Sequence, residues 1–384
     1  MDYPFWLSLI VMLATVTGFL EIVIGARRIA YLEGVLPAYA DPVPRVSIII
    51  SALDEETTIV PALQSLLKLD YPDVELIVVN DRSTDATPAI LDRIAKQHPR
   101  LKVQHVAHLP QGWLGKNHAL QQGASLASGD YLLFTDADVV FEKTAITRAV
   151  AHCRKQSLDH LTIIPAVPPG SALLNMLLLH FSAAFLLRFK PWKIGSSERY
   201  FLGQGAFNMV SRNAYFAVGG HAALRLAVID DMMLGYVLKR NGYRQDVLIG
   251  KGFVTVAWYE SAPAMFRGLR KNVFAGFDYS LGKLTLASVI FGVAGIWPWI
   301  GLFLTSGIAW WCNLIAVGAV VLFYLGLART AGWSTGCLVF IPFVTPITLV
   351  MWWQACVLAV YRKGINWRGT FYPLAELRRS HRPF

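Results

Sequence analysis

Two apolar regions frame this chain, and they set the first limit on its fold. The run FWLSLIVMLATVTGFLEIVIG, residues 5–25, is long enough to span a bilayer. After Lys283 the sequence is apolar from 284 to 328, and again from 337 to 360. A mean hydropathy of +0.45 and 55% hydrophobic residues put part of the chain in lipid and exclude a purely soluble protein. No basic region precedes the first run and no small-residue cleavage site follows it, so residues 1–28 are expected to form a retained anchor. Arg27 and Arg28 follow it, whereas only Asp2 carries charge before it. The positive-inside rule then predicts an outside N-terminus and a cytoplasmic location for the domain that follows, in a multi-pass protein of the cell membrane. Glu21 is expected near the headgroups.

The C-terminal membrane region, 284–360, reads as a two-helix hairpin followed by a third span, with residues 361–384 as a basic tail. Three crossings leave that tail outside, but Arg362, Lys363, Arg368, Arg378, Arg379 and Arg382 argue for inside. Pro342 and Pro346 offer one way out, by breaking the last segment into a re-entrant element. The sequence leaves this conflict open.

Between these regions, residues 42–260 alternate strand-like and helical patterns. VSIIISAL, ELIVVND, LKVQHV and YLLFTDAD are strand-like; TIVPALQSLLKL, TPAILDRIAKQH and NHALQQGASLA carry helical periodicity. Such alternation predicts an α/β fold with a mostly parallel sheet, whose ligands bind beyond the C-terminal strand ends. Asp54, Asp81 and Asp136 each end a different strand, so the fold gathers them along one edge. The apolar segment within 171–193, rich in Leu and Phe, is followed by Lys190, Trp192 and Lys193 and includes Arg188. A crossing there would divide the candidate site residues between two sides, so it is expected to lie in the interface, as is 261–283, with a buried core helix as the alternative for 171–193.

The net charge of +10 suits an anionic membrane surface or phosphorylated ligands. Its basic residues are scattered without a nucleic-acid motif, which argues against nucleic acid. The four cysteines have neither disulfide-framework nor zinc spacing.

Five constellations carry candidate chemistry. SALDEE places Asp54 and Glu55 past the first strand, and VNDRSTDAT places Asp81 at the second strand's end, with Asp85 or Thr87 as a helix cap. In LPQGWLGKNHAL, Gly112 and Gly115 allow a tight loop and Lys116 begins a helix, a natural anion site. FTDAD supplies Asp136 and Asp138; with sixteen aspartates in the chain, about one Asp-x-Asp arises by chance, so this pair needs its context. VIDDMMLGYVLKRNGY opens a helix on Asp230 and Asp231, which is also a common cap arrangement. His118 and His180 read as packed or surface residues; Trp113, Trp192 and Trp258 serve interfacial packing or sugar stacking.

The order SALDEE, VNDRSTD, GKNHAL, TDAD, GQGAFN, IDD and RGLRK resembles membrane-bound family 2 glycosyltransferases. It is most similar to the ceramide-glucosyltransferase-like and hopanoid-associated lipid enzymes, over nearly the whole chain and including the closing NWRGTFYPL. The resemblance implies a GT-A type, Rossmann-like nucleotide-sugar domain and hexosyl transfer from a nucleotide sugar, UDP-linked by analogy, to a membrane lipid. It implies that Ala52, Asp54 and Glu55 line the nucleoside and that Asp81 reads the uracil edge. Asp136 and Asp138 would sit at the metal-bound diphosphate, Asp231 would be the general base with Asp230 beside it, and Arg267 and Arg270 would match the Gln/Arg-x-x-Arg-Trp element. Lys271 stands where that element has tryptophan, which argues against a polymer channel.

Independent chemistry agrees with these roles. Mg²⁺ or Mn²⁺ prefers oxygen from one or two carboxylates plus phosphates, and stabilises charge on a departing diphosphate, to which Lys116 or Arg270 would add. An acceptor hydroxyl needs a base during attack, and in-line attack from the far side inverts the anomeric centre. GQGAFN is a candidate acceptor-side lining. The alternatives are a processive polysaccharide synthase and a catalytically silent nucleotide-sugar-binding scaffold; a transporter fits poorly, because 284–328 holds no charged pathway. The sequence names neither sugar, lipid nor oligomeric state.

Overall fold

A computed structural model describes residues 3–39 and 41–381; Asp2 and Arg382 lie outside them. The chain opens on α1 (Tyr3–Ala26), then β1 (Ala30–Tyr31). The predicted alternation follows as β2 (Val46–Ala52), α2 (Ile59–Leu67), β3 (Val74–Asp81), α3 (Thr87–Gln97), β4 (Leu101–Val106), α4 (Gly115–Leu126) and β5 (Tyr131–Asp136). It continues through β6 (Val139–Phe141), α5 (Ala145–Gln156), β7 (His160–Ile164), α6 (Ala172–Phe189), β8 (Asn208–Ser211), α7 (Arg212–Ala217), α8 (Asp230–Arg240), β9 (Gln245–Ile249) and β10 (Val254–Val256).

Eight strands form one sheet in the order β1-β9-β7-β8-β5-β2-β3-β4. Its pairs are parallel except for β8, which runs antiparallel to both β5 and β7. Every residue of β2 and β3 is buried, the pattern of central strands covered on both faces. Ile48, Ile50 and Val78 face one apolar layer with α2 and α5; Ile49, Ile77 and Val79 face the other, with α4 and α8. This strict alternation fixes the register. Ser51 pairs with Asp136 and Ala52 with Asn80, so the ends of β5, β2 and β3 lie side by side. The expected gathering of acids along one edge follows.

The next helices are α9 (Ala262–Gly276), α10 (Leu281–Leu304), α11 (Gly307–Ala331) and α12 (Ile341–Tyr361). Among the described residues, five helical segments are long and apolar enough to cross a membrane: α1, residues 172–193 containing α6, α10, α11, and residues 335–361 containing α12. α1 packs chiefly on α11 and α10, whereas α12 packs on α9 and α10. The suggested break in the last segment does not occur. Pro342 sits in the first turn of α12, where no N–H is required, and the helix continues through Pro346. α6 buries Leu174, Met176, Leu177, Leu178 and Leu179 against α1, α9, α11 and α12 rather than in the sheet's core. Glu21 of α1 pairs with Lys190 at 2.7 Å and Lys193 at 3.3 Å, just past the end of α6.

The tail then folds back onto the sheet. β11 (Gly364–Trp367) and β12 (Thr370–Pro373) form a hairpin, followed by α13 (Leu374–Ser380). Arg368 and Gly369 at its two-residue turn both have positive φ, 49° and 74°, as a right-twisted hairpin requires.

Candidate active site

The loop after β2 and the loop after β3 are stitched together by their own polar groups. Asp54 accepts the Thr84 N–H at 2.7 Å and gives its own N–H to Ser83 Oγ at 3.0 Å. Asp85 accepts N–H groups from Thr87 and Glu56, at 2.9 and 3.0 Å. Asp54 therefore braces the rim, and Asp85 caps the start of α3, as its position predicts. Ala52 is sealed in the sheet. Glu55 turns inward, and burial pushes its carboxyl up from the usual range.

Asp81 is fully buried, and both of its oxygens are taken by Arg82, at 2.8 and 3.2 Å. Any side chain at Gly115 would collide with this pair. In this conformation Asp81 presents no open edge to a base; the guanidinium of Arg82, which reaches Thr370 Oγ1 at 3.5 Å, stands in front of it.

At the end of β5, Asp136 and Asp138 flank a buried Ala137. Burial works to raise Asp136, but Lys116 at 2.7 Å and the nearby Arg368 and Lys271 hold it below the ordinary range. Asp138 has no ion pair among the described residues; burial beside Asp136 and Glu55 pushes it up to about 7. Among the described residues no three acidic, His or Cys side chains form a ready-made metal cage. A pair of carboxylates, one of them uncompensated, fits a divalent ion whose remaining ligands are phosphate oxygens and water.

Lys116 is 3.7 Å from Asp230 as well, so it neutralises the protein's own acids rather than standing free for an anion. Asp230 is buried. Asp231, half-exposed, faces the cleft from the first turn of α8. Its oxygens accept the N–H of Gly205 and of Met232, both at 2.8 Å, which fixes the carboxylate plane. Burial and neighbouring Asp230 push it up to about 7. The GQGAFN segment links the two walls: Gly205 O accepts the Asp136 N–H at 3.0 Å. A side chain at Gly203 would strike the Asp231 carbonyl.

Arg267 is exposed and Arg270 half-buried, and neither forms an ion pair among the described residues. The cation that α9 brings into range of Asp230 and Asp136 is Lys271, pushed down to about 7 by burial beside Lys116 and Arg368. Its ammonium lies 3.9 Å from the centroid of the Trp367 ring, so an indole from the far end of the chain covers this lysine.

Sequence reasoning missed the tail. Arg368 reaches Ser51 Oγ at 3.4 Å and Glu55 Oε1 at 4.0 Å, and Tyr372 accepts the Gly115 N–H at 3.3 Å. The signal lay in NWRGT, whose Arg-Gly turn lies between strand residues, but nothing local said where the hairpin would dock. His118 packs edge-on to Trp113, and His180 is buried, as expected.

The chain is similar to known proteins in sequence and in fold. A family model described as Glycosyl transferase family 2 matches residues 47–232. The 4,4'-diaponeurosporenoate glycosyltransferases of Staphylococcus aureus strains bovine RF122 / ET3-1 and USA300 are each 26% identical over 359 residues, 86% of this chain and 88% of the relative. Among solved structures, the mannosyltransferase PcManGT from Pyrobaculum calidifontis, in complex with GDP-Man and Mn²⁺, is similar in fold at a TM-score of 0.55. It is 19% identical, over 94% of this chain and 99% of that one. Residues 47–232 are thus a glycosyltransferase family 2 domain of GT-A fold, joined to apolar helices at both ends of the chain.

Proposed function

We propose that the protein is an inverting glycosyltransferase that moves a hexose from a nucleotide sugar, UDP-linked by analogy, to a lipid in the membrane. The observation that carries this reading is the meeting of two walls in one cleft. The Asp136/Asp138 pair stands on one side and the fixed, half-exposed carboxylate of Asp231 on the other, joined through Gly205.

Asp136 and Asp138 would hold Mg²⁺ or Mn²⁺, which supplies Lewis-acid stabilisation of the leaving diphosphate. Arg368 and Lys271 add positive charge at the same edge. Arg82 or Asp81 meets the base, the former by staying and the latter by its displacement. Asp231 takes the proton from the acceptor oxygen, for which an acid dissociating near neutrality is well matched. Attack from its side of the cleft, opposite the diphosphate, inverts the anomeric centre.

The lipid acceptor is supported by the relatives named for diaponeurosporenoate, and by the apolar helices that flank the cleft. In this reading α1, α10 and α11 cross the membrane, while α6, α9 and α12 lie at its cytoplasmic interface. The support is that α12 is tied to the α/β domain at both ends. Trp333 donates to Val167 O at 3.1 Å and Lys251 to Thr330 O at 2.7 Å before it, and the hairpin carrying Arg368 docks after it. Two C-terminal crossings return the basic tail to the cytoplasmic side that its charges favour.

The test incubates the purified full chain in lipid nanodiscs with a panel of radiolabelled nucleotide sugars and a lipid extract, with and without EDTA. Label in the organic phase that vanishes with the chelator supports the reading, and label only in a water-soluble polymer overturns it. Mild alkali then separates acceptor classes: it releases label from a glycosyl ester but not from a glycoside.

A further inference from the structure

Behind the reacting edge lies a group that the transfer as read above does not use. His221 follows Gly219 and Gly220, whose φ values are 84° and 53°. A side chain at Gly220 would run into the Tyr215 ring, so the paired glycines let the backbone turn and bury an imidazole that is 1% exposed. His221 Nδ1 lies 2.9 Å from the Tyr215 hydroxyl, which also accepts the His221 backbone N–H at 3.0 Å. On the other side, Nε2 faces Asp230 Oδ2 at 4.0 Å, too far for a direct hydrogen bond. The space between them belongs to a small cavity lined by Lys116, Thr135, Asn208, His221, Asp230 and Asp231, with room for one water.

Hydrogen-bond roles follow from the neighbours. A neutral imidazole has one N–H, and the ionised Asp230 4.0 Å away electrostatically favours the tautomer whose N–H points toward it, which puts the hydrogen on Nε2. Nδ1 is then the acceptor for Tyr215, whose other acceptor, Gln121 Oε1, is farther away at 3.3 Å. Burial and nearby Lys116 push the imidazole down to about 3, so it is neutral at working pH.

We propose that His221 is a positioning residue for the transfer: locked in one tautomer by Tyr215, it holds Asp230 ionised and in place through a single buried water. Asp230 in turn anchors Lys116 against Asp136 and, by its charge, keeps Asp231 a stronger base. The charged groups facing Asp231 are Asp230, Lys116 and Asp136; those facing Asp230, which burial raises, are Lys116, Asp136, Lys271 and Asp231; those facing His221 are Lys116 and Asp230. The inference rests on Asp231 being the base.

The test compares wild type, Asp231→Asn, His221→Phe, His221→Gln and Tyr215→Phe as full chains in nanodiscs, by kcat, donor KM and pH profile of label transfer. His221→Phe is expected to lower kcat by about 10- to 100-fold with donor KM within about threefold. Its acid limb should move to lower pH, because Asp230 protonates and no longer raises Asp231. His221→Gln, whose amide N–H reaches the same water, should restore much of the loss, and Tyr215→Phe should show the same shift in smaller measure. A wild type without transfer, or an Asp231→Asn that transfers normally, overturns the underlying reading and this role with it. An active wild type and silent Asp231→Asn, alongside a His221→Phe with unchanged kcat and pH profile, overturn only the role of His221. So does a loss that tracks melting temperature and is not restored by His221→Gln. Should His221→Phe not fold, a stable Tyr215→Phe with an unshifted acid limb overturns it equally.

Discussion

Lys116 Nζ rests 2.7 Å from Asp136 Oδ1, and the same ammonium lies 3.7 Å from Asp230 Oδ1. One cation therefore couples the end of β5 to the start of α8, the two walls of the proposed cleft. Burial alone would lower Lys116, but Asp136, Asp230 and Asp231 outweigh it and raise it, so it is charged at every working pH.

Lys116→Met removes the nearest cation from Asp136 and Asp230. Breaking a fully buried pair costs about 3–5 kcal/mol; because the Asp136 side chain keeps 40% of its exposure, about 2 kcal/mol is expected here. Denaturant melts of the detergent-solubilised protein measure it. Transfer should fall at least tenfold, as both walls lose their shared anchor.

Asp231→Asn should reduce transfer by about 10²- to 10⁴-fold, the range for loss of a general base, with donor affinity nearly unchanged. In the wild type, the base works only when ionised. With Asp231 pushed up to about 7 by burial and Asp230, kcat/KM should fall about tenfold per pH unit below that value. The linkage sign is opposite for stability. A carboxyl raised in the folded state favours folding most below its unfolded value near 4, and that contribution is lost as pH rises through about 7. Activity should therefore climb across pH 5–7 while melting temperature in EDTA declines over the same window.

Much of this arrangement was legible in the sequence, because the central strands are continuous Val/Ile/Leu runs and the parallel fold dictates where their ends meet. Asp136, Asp138 and Asp231 could be placed from strand ends and one helix start. What was not legible was pairing between distant segments. Lys116 looked like a free cation until Asp230 was seen beside it, and Asp81 looked like an open acceptor until Arg82 was seen covering it. The tail's return depends on two turns, around 332 and 362, whose direction no local pattern reports. Residues 337–360 have the length and hydropathy of a span, and the proposed distinction from α10 and α11 rests on the contacts at both ends of α12.

Asp138→Asn separates stability from catalysis. Asp138 is raised to about 7 by burial beside Asp136 and Glu55, so its ionisation above that pH opposes folding. Without divalent ions at pH 8, the amide should stabilise the protein by on the order of 1 kcal/mol, discounted for partial exposure. Chelator-sensitive transfer should nonetheless disappear. Thermal melts with and without Mn²⁺ provide the check: the wild type should gain stability from the ion plus a nucleoside diphosphate, and the variant little.

Arg368→Gln removes the guanidinium that the hairpin brings to Ser51 and Glu55. Charge-assisted bonds contribute about 1.5–3 kcal/mol, so affinity for a nucleoside diphosphate should weaken by about 10- to 100-fold. Titration calorimetry with UDP and GDP measures this. An unchanged affinity would remove Arg368 from the donor site while leaving the assignments of Asp138 and Asp231 intact.

The placement of α12 gives an experiment independent of turnover. If α10 and α11 cross and α12 lies in the interface, the turn at Thr305–Ser306 faces the side opposite the sheet, while Lys363 shares the sheet's side. Cys153, Cys312, Cys337 and Cys356 are all buried, which leaves the background to an impermeant thiol reagent low. Ser306→Cys and Lys363→Cys, each exposed in the wild type, should therefore label from opposite faces of sealed, oriented vesicles. Labelling of both from one face would mean that the α10–α11 hairpin does not cross. Opposite labelling, with Lys363 reached only from the face away from the sheet, is incompatible with Arg368 at the cleft. It would require the tail to leave Ser51 and Glu55, and the donor edge would lose the cation assigned to it.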